Sequence, residues 1–331
     1  MGKRPTAKEV AQAAGVSKWT VIRAFTPGAS IAEDSRAKVL EVARQLNYSP
    51  NLLARSLATN LTRQVAAFVD DFQNPHKLPL IAALTEVLQA EGLVVVLINI
   101  NRHFDHVQAL LNADQRQVDA VVLCGTAFRD EMLTDARLGP GTPPLFVLAR
   151  DSQIDDVPAI TCNTAVAMAE MCDHLAARRY SRPGFMAGPT TLSTALGRQR
   201  LFRTFWRDRG VPAVQDLSAD RYSQQAGAAS MRAYLSTTPA DQRVDLLMCE
   251  NDVLALGALD VSRSEFGLRV PEDIAIAGFD NIDVGASPAY DLTTYEQPIE
   301  AMAQTVADMI LGRTEKQTVC LPGRLIARRT A

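Results

Sequence analysis

Between Thr6 and Phe25 the chain reads TAKEVAQAAGVSKWTVIRAF, and few local structures accommodate that spacing. Thr6 and Glu9 stand three apart, as in a capping box, so a helix is expected to start at Thr6. Val10, Ala11 and Ala14 give it a small apolar face. Gly15 can take positive φ and end it. Val16 packs the turn, and Ser17 caps a second helix carrying Lys18, Trp19, Thr20, Val21, Ile22 and Arg23, stopped by Pro27 and Gly28. Two short helices about a glycine-containing turn are the helix-turn-helix signature. Val16, Val21 and Ala24 are expected to face inward, and Lys18, Trp19 and Arg23 outward, toward a major groove. A third helix is expected over about Glu33 to Leu46, with Val39, Leu40, Val42, Ala43 and Leu46 as its buried stripe.

The segment YSPNLLARSLATN follows, from Tyr48 to Asn60. Pro50 blocks continuation of the third helix, and Asn51 can cap a new one through Leu52, Ala54, Arg55 and Leu57. That helix is too short to be stable alone. It reads as a linker that folds on a partner and so couples the rest of the chain to the head.

Charge separates the two parts. The whole chain of 331 residues carries a formal net charge of −3. Residues 1–60 hold nine basic and four acidic side chains, a surplus of +5, which leaves −8 for the remainder. A small basic head on an acidic body points to a polyanionic partner for the head. The hydrophobic fraction of 47% is ample for more than one core. No apolar run is long enough to span a membrane, and the start MGKRPTAKEV lacks the apolar stretch of a secretory signal. Five scattered cysteines without a C-x-x-C pair fit reduced thiols in a cytoplasmic protein.

From Val65 onward, strand-like and helix-like runs alternate. VAAFVDD, VVVLINI, DAVVLC, PLFVLA, GFMAG, DLLMC and IAIAGFD read as strands. Of these, VVVLINI is expected to be buried. Leu78 to Gly92 reads as an amphipathic helix, and Val107 to Leu111 starts another. Near-continuous apolar strands alternating with helices imply parallel sheets covered on both faces. The length implies two such lobes, whose ligand cleft lies at the carboxyl ends of the strands.

These motifs resemble the lactose-repressor/galactose-repressor family of bacterial transcriptional regulators. AKEVAQAAGVSKWTVIRAF and YSPNLLARSL are similar to the family's head and hinge at the same spacing. VDDFQNPHK, AGPTTLSTALGRQRLF and above all NDVLALGALDVSRSEFGLRVPEDIAIAGFD are similar to stretches of its core. The resemblance implies an all-α helix-turn-helix head over residues 1–48, a hinge helix and linker over 49–62, and a periplasmic-binding-protein-like α/β core over 63–331. That core has two doubly wound parallel-sheet lobes. The first spans about 63–161 and 293–320; the second spans about 162–292 and takes the C-terminal strand. For the head, the resemblance implies that Lys18, Trp19 and Arg23 read base edges, with Thr6, Ser17 and Thr20 on phosphates. In the hinge, Asn51, Ala54 and Leu57 enter the minor groove, Leu57 as the wedge. Two positions depart from the family pattern: Ile22 stands for the usual Ser and Thr26 for the usual Asn, so no relative's operator is assumed.

In the core the resemblance implies a polar ligand clamp of Arg198, Asn251 and Asp280. Phe72 and Tyr222 are the implied aromatic walls, and Asn74 stands on the same loop as Phe72. Ala149 replaces the usual Asp at the end of the fourth strand, next to Arg150. Asp252 is expected to be structural, capping a helix that begins at Val253. The implied partners are a pseudo-palindromic double-stranded operator, a second copy of the chain and a small-molecule effector; no membrane is implied. The effector is expected to be a sugar or sugar acid, with a nucleobase or nucleoside acting as co-repressor as the alternative. A cytoplasmic solute-binding protein would use the same core without the head.

No cofactor, metal or enzymatic role is expected. His103, Asp105 and His106 lack zinc-site spacing and read as solvated loop residues. No phosphate-binding Gly-rich loop or G-x-S-x-G elbow occurs. No leucine heptads follow the last strand, which argues against a tetramerising coiled coil.

Overall fold

A computed structural model describes residues 5–26, 28–49, 61–72, 74–100, 117–125, 142–152, 154, 156–189, 197–211 and 213–331. The chain divides into two compact units, Met1–Thr62 and Arg63–Ala331.

The first unit holds α1 (Ala7–Ala14), α2 (Lys18–Ala24) and α3 (Glu33–Gln45). The capping box forms in full: Thr6 Oγ1 accepts from the Glu9 amide, and the Glu9 carboxylate accepts from the Thr6 amide at 2.6 Å. Gly15 takes φ +64° and closes α1. Ser17 caps α2 by accepting from the Thr20 amide at 3.1 Å. The core is built from small side chains, namely Val10, Ala11, Ala14, Val21, Ala24, Val39 and Ala43, which lets three short helices approach closely. Phe25 and Tyr48 close it in an edge-to-face contact with ring centroids 5.7 Å apart. Arg36 ties α3 to the end of α2 by donating to the carbonyls of Ala24 and Ala29. Two members of the expected α3 stripe stand apart from it: Leu40 and Leu46 are exposed, because the narrow α1–α2 surface is covered by Val39, Val42 and Ala43 alone.

The second unit contains two parallel sheets. The six-stranded sheet has the order β11-β5-β4-β3-β1-β2. Its strands are β1 (Gln64–Asp70), β2 (Val94–Ile100), β3 (Ala120–Cys124), β4 (Leu145–Leu148), β5 (Ala159–Cys162) and β11 (Val319–Leu321). The four-stranded sheet has the order β7-β6-β8-β9, from β6 (Pro183–Ala187), β7 (Gln215–Ser218), β8 (Leu246–Cys249) and β9 (Ala275–Ala277). A short antiparallel pair, β10 (Thr294–Glu296) with β12 (Arg324–Ile326), completes the strands among the described residues. The helices are α4 (Lys77–Ala90), α5 (Thr164–Ala176), α6 (Arg198–Asp208), α7 (Gln224–Thr237), α8 (Asp252–Asp260) and α9 (Ile299–Ile310).

Alternation of side chains explains why both sheet faces are apolar. On β1, Val65, Ala67 and Val69 pack with α4 and α9, while Ala66 and Phe68 join a separate cluster on the opposite face. On β8, Leu247 and Cys249 face α7 and α8, while Leu246 and Met248 face α5 and α6. The α7–α8 contact is close enough to require glycine: a Cβ on Gly257 would lie 2.1 Å from the Gln224 carbonyl oxygen.

One expectation changes. VVVLINI forms β2, but the strand sits at the edge of its sheet, so Val94 and Leu97 are 56% and 46% exposed. A run that is apolar but for Asn99 reads as a central strand when its neighbours are unknown. Thr293 and Glu296 bridge to Ala277 and Asp280 beside the second sheet. The helix expected to start at Val107 lies outside the described residues.

Candidate functional site

Two surfaces bring together the residues singled out from sequence. The first is the outer face of α2. Lys18, Trp19, Ile22 and Arg23 are exposed, whereas Val21 and Ala24 are buried. Trp19 is 72% exposed, which excludes it from the core of the head. Thr20 is half-buried, with its hydroxyl 2.9 Å from that of Ser17, so both side chains serve the cap as well as the surface. Thr6 likewise belongs to the capping box of α1. Asn51, Ala54 and Leu57 lie outside the described residues.

The second surface is a cleft at the carboxyl ends of the strands of both sheets, where parallel α/β architectures bind ligands. It opens to solvent and is lined by residues at the ends of β1, β4, β8 and β9. Asn74, Arg198, Tyr222, Asn251 and Asp280, expected from sequence, all line it. Phe72, expected as an aromatic wall, does not: it is exposed on the turn after β1, where Asp71 takes φ +47° and redirects the chain.

Arg198 is the first residue of α6 and is buried. Its guanidinium lies 3.5 Å over the Phe279 ring, and Nη1 donates to the Glu250 carbonyl at 2.7 Å. The stack and the bond fix the fork's plane. Nε has no hydrogen-bond partner among the described residues. Asp280 is held by Gln297, whose Nε2 donates to Oδ1 at 2.7 Å and lies 3.2 Å from His76 Nε2. Burial holds the His76 imidazole below its ordinary pKa and keeps it neutral, against the attraction of Asp280. Asn74 Oδ1 accepts from the His76 amide.

Lys77 Nζ sits 3.0 Å from Asp70 Oδ1. Gly125, at φ +142°, gives that carboxylate room, since a Cβ there would fall 1.8 Å from Oδ1. Tyr222 is a positioned wall. Its hydroxyl donates to Glu250 Oε2 at 3.1 Å, the Gly188 amide donates to the same oxygen at 2.6 Å, and its ring lies against Gly188, where a Cβ would be 2.2 Å away. Burial and the neighbouring Glu250 carboxylate push the Tyr222 phenol well above its ordinary pKa, so it stays a donor.

Asn251 does two things: it lines the cleft, and its Oδ1 accepts from the Leu254 amide, which makes it the cap of α8. The cap therefore falls one residue before the expected Asp252. Asp252 is instead the first residue of the helix and fully buried, accepting from the Ile282 amide and the Thr294 hydroxyl. It is structural by pinning the loop that carries Asp280. Burial raises its carboxyl to about 7.

Sequence reasoning missed His76, Lys77, Glu250 and Gln297. The first two follow Asn74 in the NPHK stretch, and Glu250 precedes Asn251, so adjacency to a named residue was the available signal. Gln297 had none, because it reaches the cleft only through the crossing at 293–298. Ala149, noted as a departure, lines the cleft at φ +64°. No group of metal-ligating side chains occurs among the described residues, and no described helix is long and apolar enough to cross a membrane. All five cysteines are free thiols.

Residues 6–51 match the bacterial regulatory proteins of the lacI family, and residues 172–331 match the periplasmic binding protein-like domain. The HTH-type transcriptional repressor PurR of Photorhabdus laumondii is 28% identical, over 98% of this chain and 96% of that one. The lac repressor dimer bound to operator and the anti-inducer ONPF superposes with a TM-score of 0.83 at 24% identity, covering 99% of each chain. A complex of the transcriptional regulator CelR with cellobiose superposes at 0.71, also at 24% identity, over 99% of this chain and 100% of that one. With a head that matches the lacI family of bacterial regulatory proteins, and a body of two parallel sheets meeting at a polar cleft, the chain belongs to the lacI family of DNA-binding transcriptional regulators.

Proposed function

We propose that this chain is a dimeric repressor whose affinity for a pseudo-palindromic operator is set by a neutral sugar or polyol bound in the cleft. The observation that carries the effector class is the cleft's balance of polar groups. Asp70 and Lys77 neutralise each other. His76 is neutral. What remains is Asp71 and Asp280 against Arg198, with Asn74, Asn251 and Gln297 as amides. Carboxylates and amides accept from hydroxyls, while an Arg fork donates to them. A sugar acid would meet two carboxylates and, among the described lining residues, one cation without a carboxylate partner, so the neutral compound is favoured. The nucleobase alternative has one aromatic wall, Tyr222, among the described lining residues.

Strained backbone supports a binding role at this place, since Asp71, Ala149 and Asp280 all take positive φ at the strand ends. Dimerisation is supported by β2, whose exposed edge carries Val94 and Leu97, with Leu78 exposed on α4. An exposed apolar strand edge is a ready template for pairing with another chain. The reading involves binding without catalysis, in the cytoplasm where the DNA is. An effector bound between the two sheets shifts the balance of body conformations by its differential affinity for them, and operator affinity follows through the 49–62 linker.

The test is a thermal-shift panel of neutral sugars, polyols, sugar acids and nucleobases, followed by operator binding with each stabilising compound. A neutral sugar that raises the melting temperature and changes operator affinity is the expected result. Stabilisation by sugar acids or nucleobases alone would overturn the effector class.

A further inference from the structure

The exposed face of α2 is half apolar, and the head gives those side chains nothing to pack on. Trp19 and Ile22 are 72% and 42% exposed, and neither joins the cluster that α1, α2 and α3 bury between them. Their i, i+3 spacing makes them neighbours on the helix surface. Lys18 and Arg23 flank them. Neither cation has a hydrogen bond or ion pair among the described residues, so both are available to an outside anion or acceptor. A pair of exposed apolar side chains between two uncommitted cations matches one kind of surface: an acidic groove with an apolar feature on its floor. The major groove of duplex DNA has one such feature, the C5-methyl group of thymine.

We infer that Trp19 and Ile22 together form an apolar reader that seats a thymine methyl in each operator half-site. This rests on the reading of the head as an operator-binding domain and adds which base the apolar pair selects. Lys18 and Arg23 supply polar contacts beside it, to base edges or phosphates. Discrimination at the thymine then comes from removing methyl and side-chain surface from water, not from hydrogen bonds.

The experiment uses the full-length protein. A preferred site is first recovered from a random duplex pool, and each of its thymines is then replaced singly by deoxyuridine, which removes the methyl and leaves pairing intact. One thymine in each half-site is expected to respond, with affinity falling about fourfold for one methyl and about fifteenfold for both, the worth of one buried methyl-sized group per half-site. Trp19→Ala and Ile22→Ser lie on the surface, so the head stays folded. Both should bind the thymine and deoxyuridine sites nearly alike, with the salt dependence of binding unchanged because phosphate contacts remain. Equal affinity for every deoxyuridine site, or full methyl sensitivity in both variants, would overturn the inference while leaving operator binding intact. Failure to recover any preferred site would overturn the operator reading itself.

Discussion

Arg198 is where the cleft's geometry makes the firmest demand. Consider Arg198→Ala. In the absence of effector the change removes the 2.7 Å bond to the Glu250 carbonyl and the stack on Phe279. The first is worth about 1.5–3 kcal/mol as a bond from a charged donor. The second is worth up to about 2 kcal/mol when desolvated. Against these losses, the variant no longer buries a charge whose Nε lacks a partner among the described residues. Relief of that desolvation offsets much of the cost, so the folded state survives with a net loss of about 2 kcal/mol or less.

Effector binding is a different matter. If the fork donates two hydrogen bonds to sugar oxygens, each worth about 1.5–3 kcal/mol, the loss is about 100-fold in affinity or more. Arg198→Lys keeps the charge but not the planar fork, so it should fall between the two. The assay is titration calorimetry with the most stabilising sugar of the panel, alongside operator binding without sugar. Operator binding should be unchanged, and the response to sugar lost. An Arg198→Ala protein that binds the sugar within about threefold of the parent would refute the clamp.

Gly257→Ala should be severely destabilising, because the added Cβ meets backbone on α7, at 2.1 Å from the Gln224 carbonyl oxygen and 2.5 Å from the Ala228 nitrogen. A loss of about 3 kcal/mol in urea unfolding is expected, and an unchanged midpoint would refute the contact. His76 carries a signed pH effect. Its folded pKa is lowered by burial, so below the ordinary value of 6.5 the unfolded chain takes up a proton that the folded chain resists. The stability that this neutral His contributes is full above about pH 6.5 and is lost as pH falls below it. His76→Gln, which can still accept from Gln297, should flatten the difference in unfolding free energy between acid and neutral buffer. A retained slope would place its origin elsewhere. Leu97→Asp puts a charge on the exposed edge of β2 and should shift the protein toward monomer in sedimentation velocity, with weaker operator binding because one head reaches one half-site. A dimer of undiminished stability would move the interface to another surface.

How much of the site was legible depended on where each residue gets its environment. Thr6, Glu9, Gly15 and Ser17 act through bonds to residues three or four away, so their spacing alone announced both head helices. Asn251 and Asp280 stood in a long matching stretch at the ends of apolar strands, and parallel α/β geometry sends such ends to one cleft. His76, Lys77 and Gln297 were not legible. A Lys two residues past Pro75 reads as solvated, and only the fold gives it Asp70 at 3.0 Å. Glu250 reads as a loop acid until β6 brings Gly188 beside it and α7 brings Tyr222.

Local order, by itself, determined a great deal here: a helix-turn-helix head, a basic end on an acidic body, and an alternation of strands and helices that admits little but covered parallel sheets. Those properties depend on contacts within a few residues or on pattern periods, which a sequence carries directly. Tertiary structure decided what depends on which strands become neighbours. It placed β2 at an edge, leaving an apolar run exposed. It turned Phe72 away from the cleft and routed residues 293–296 along the second sheet, which delivers Gln297 to Asp280. Burial, pairing and charge state arise from how the chain packs, which neither residue spacing nor pattern period specifies.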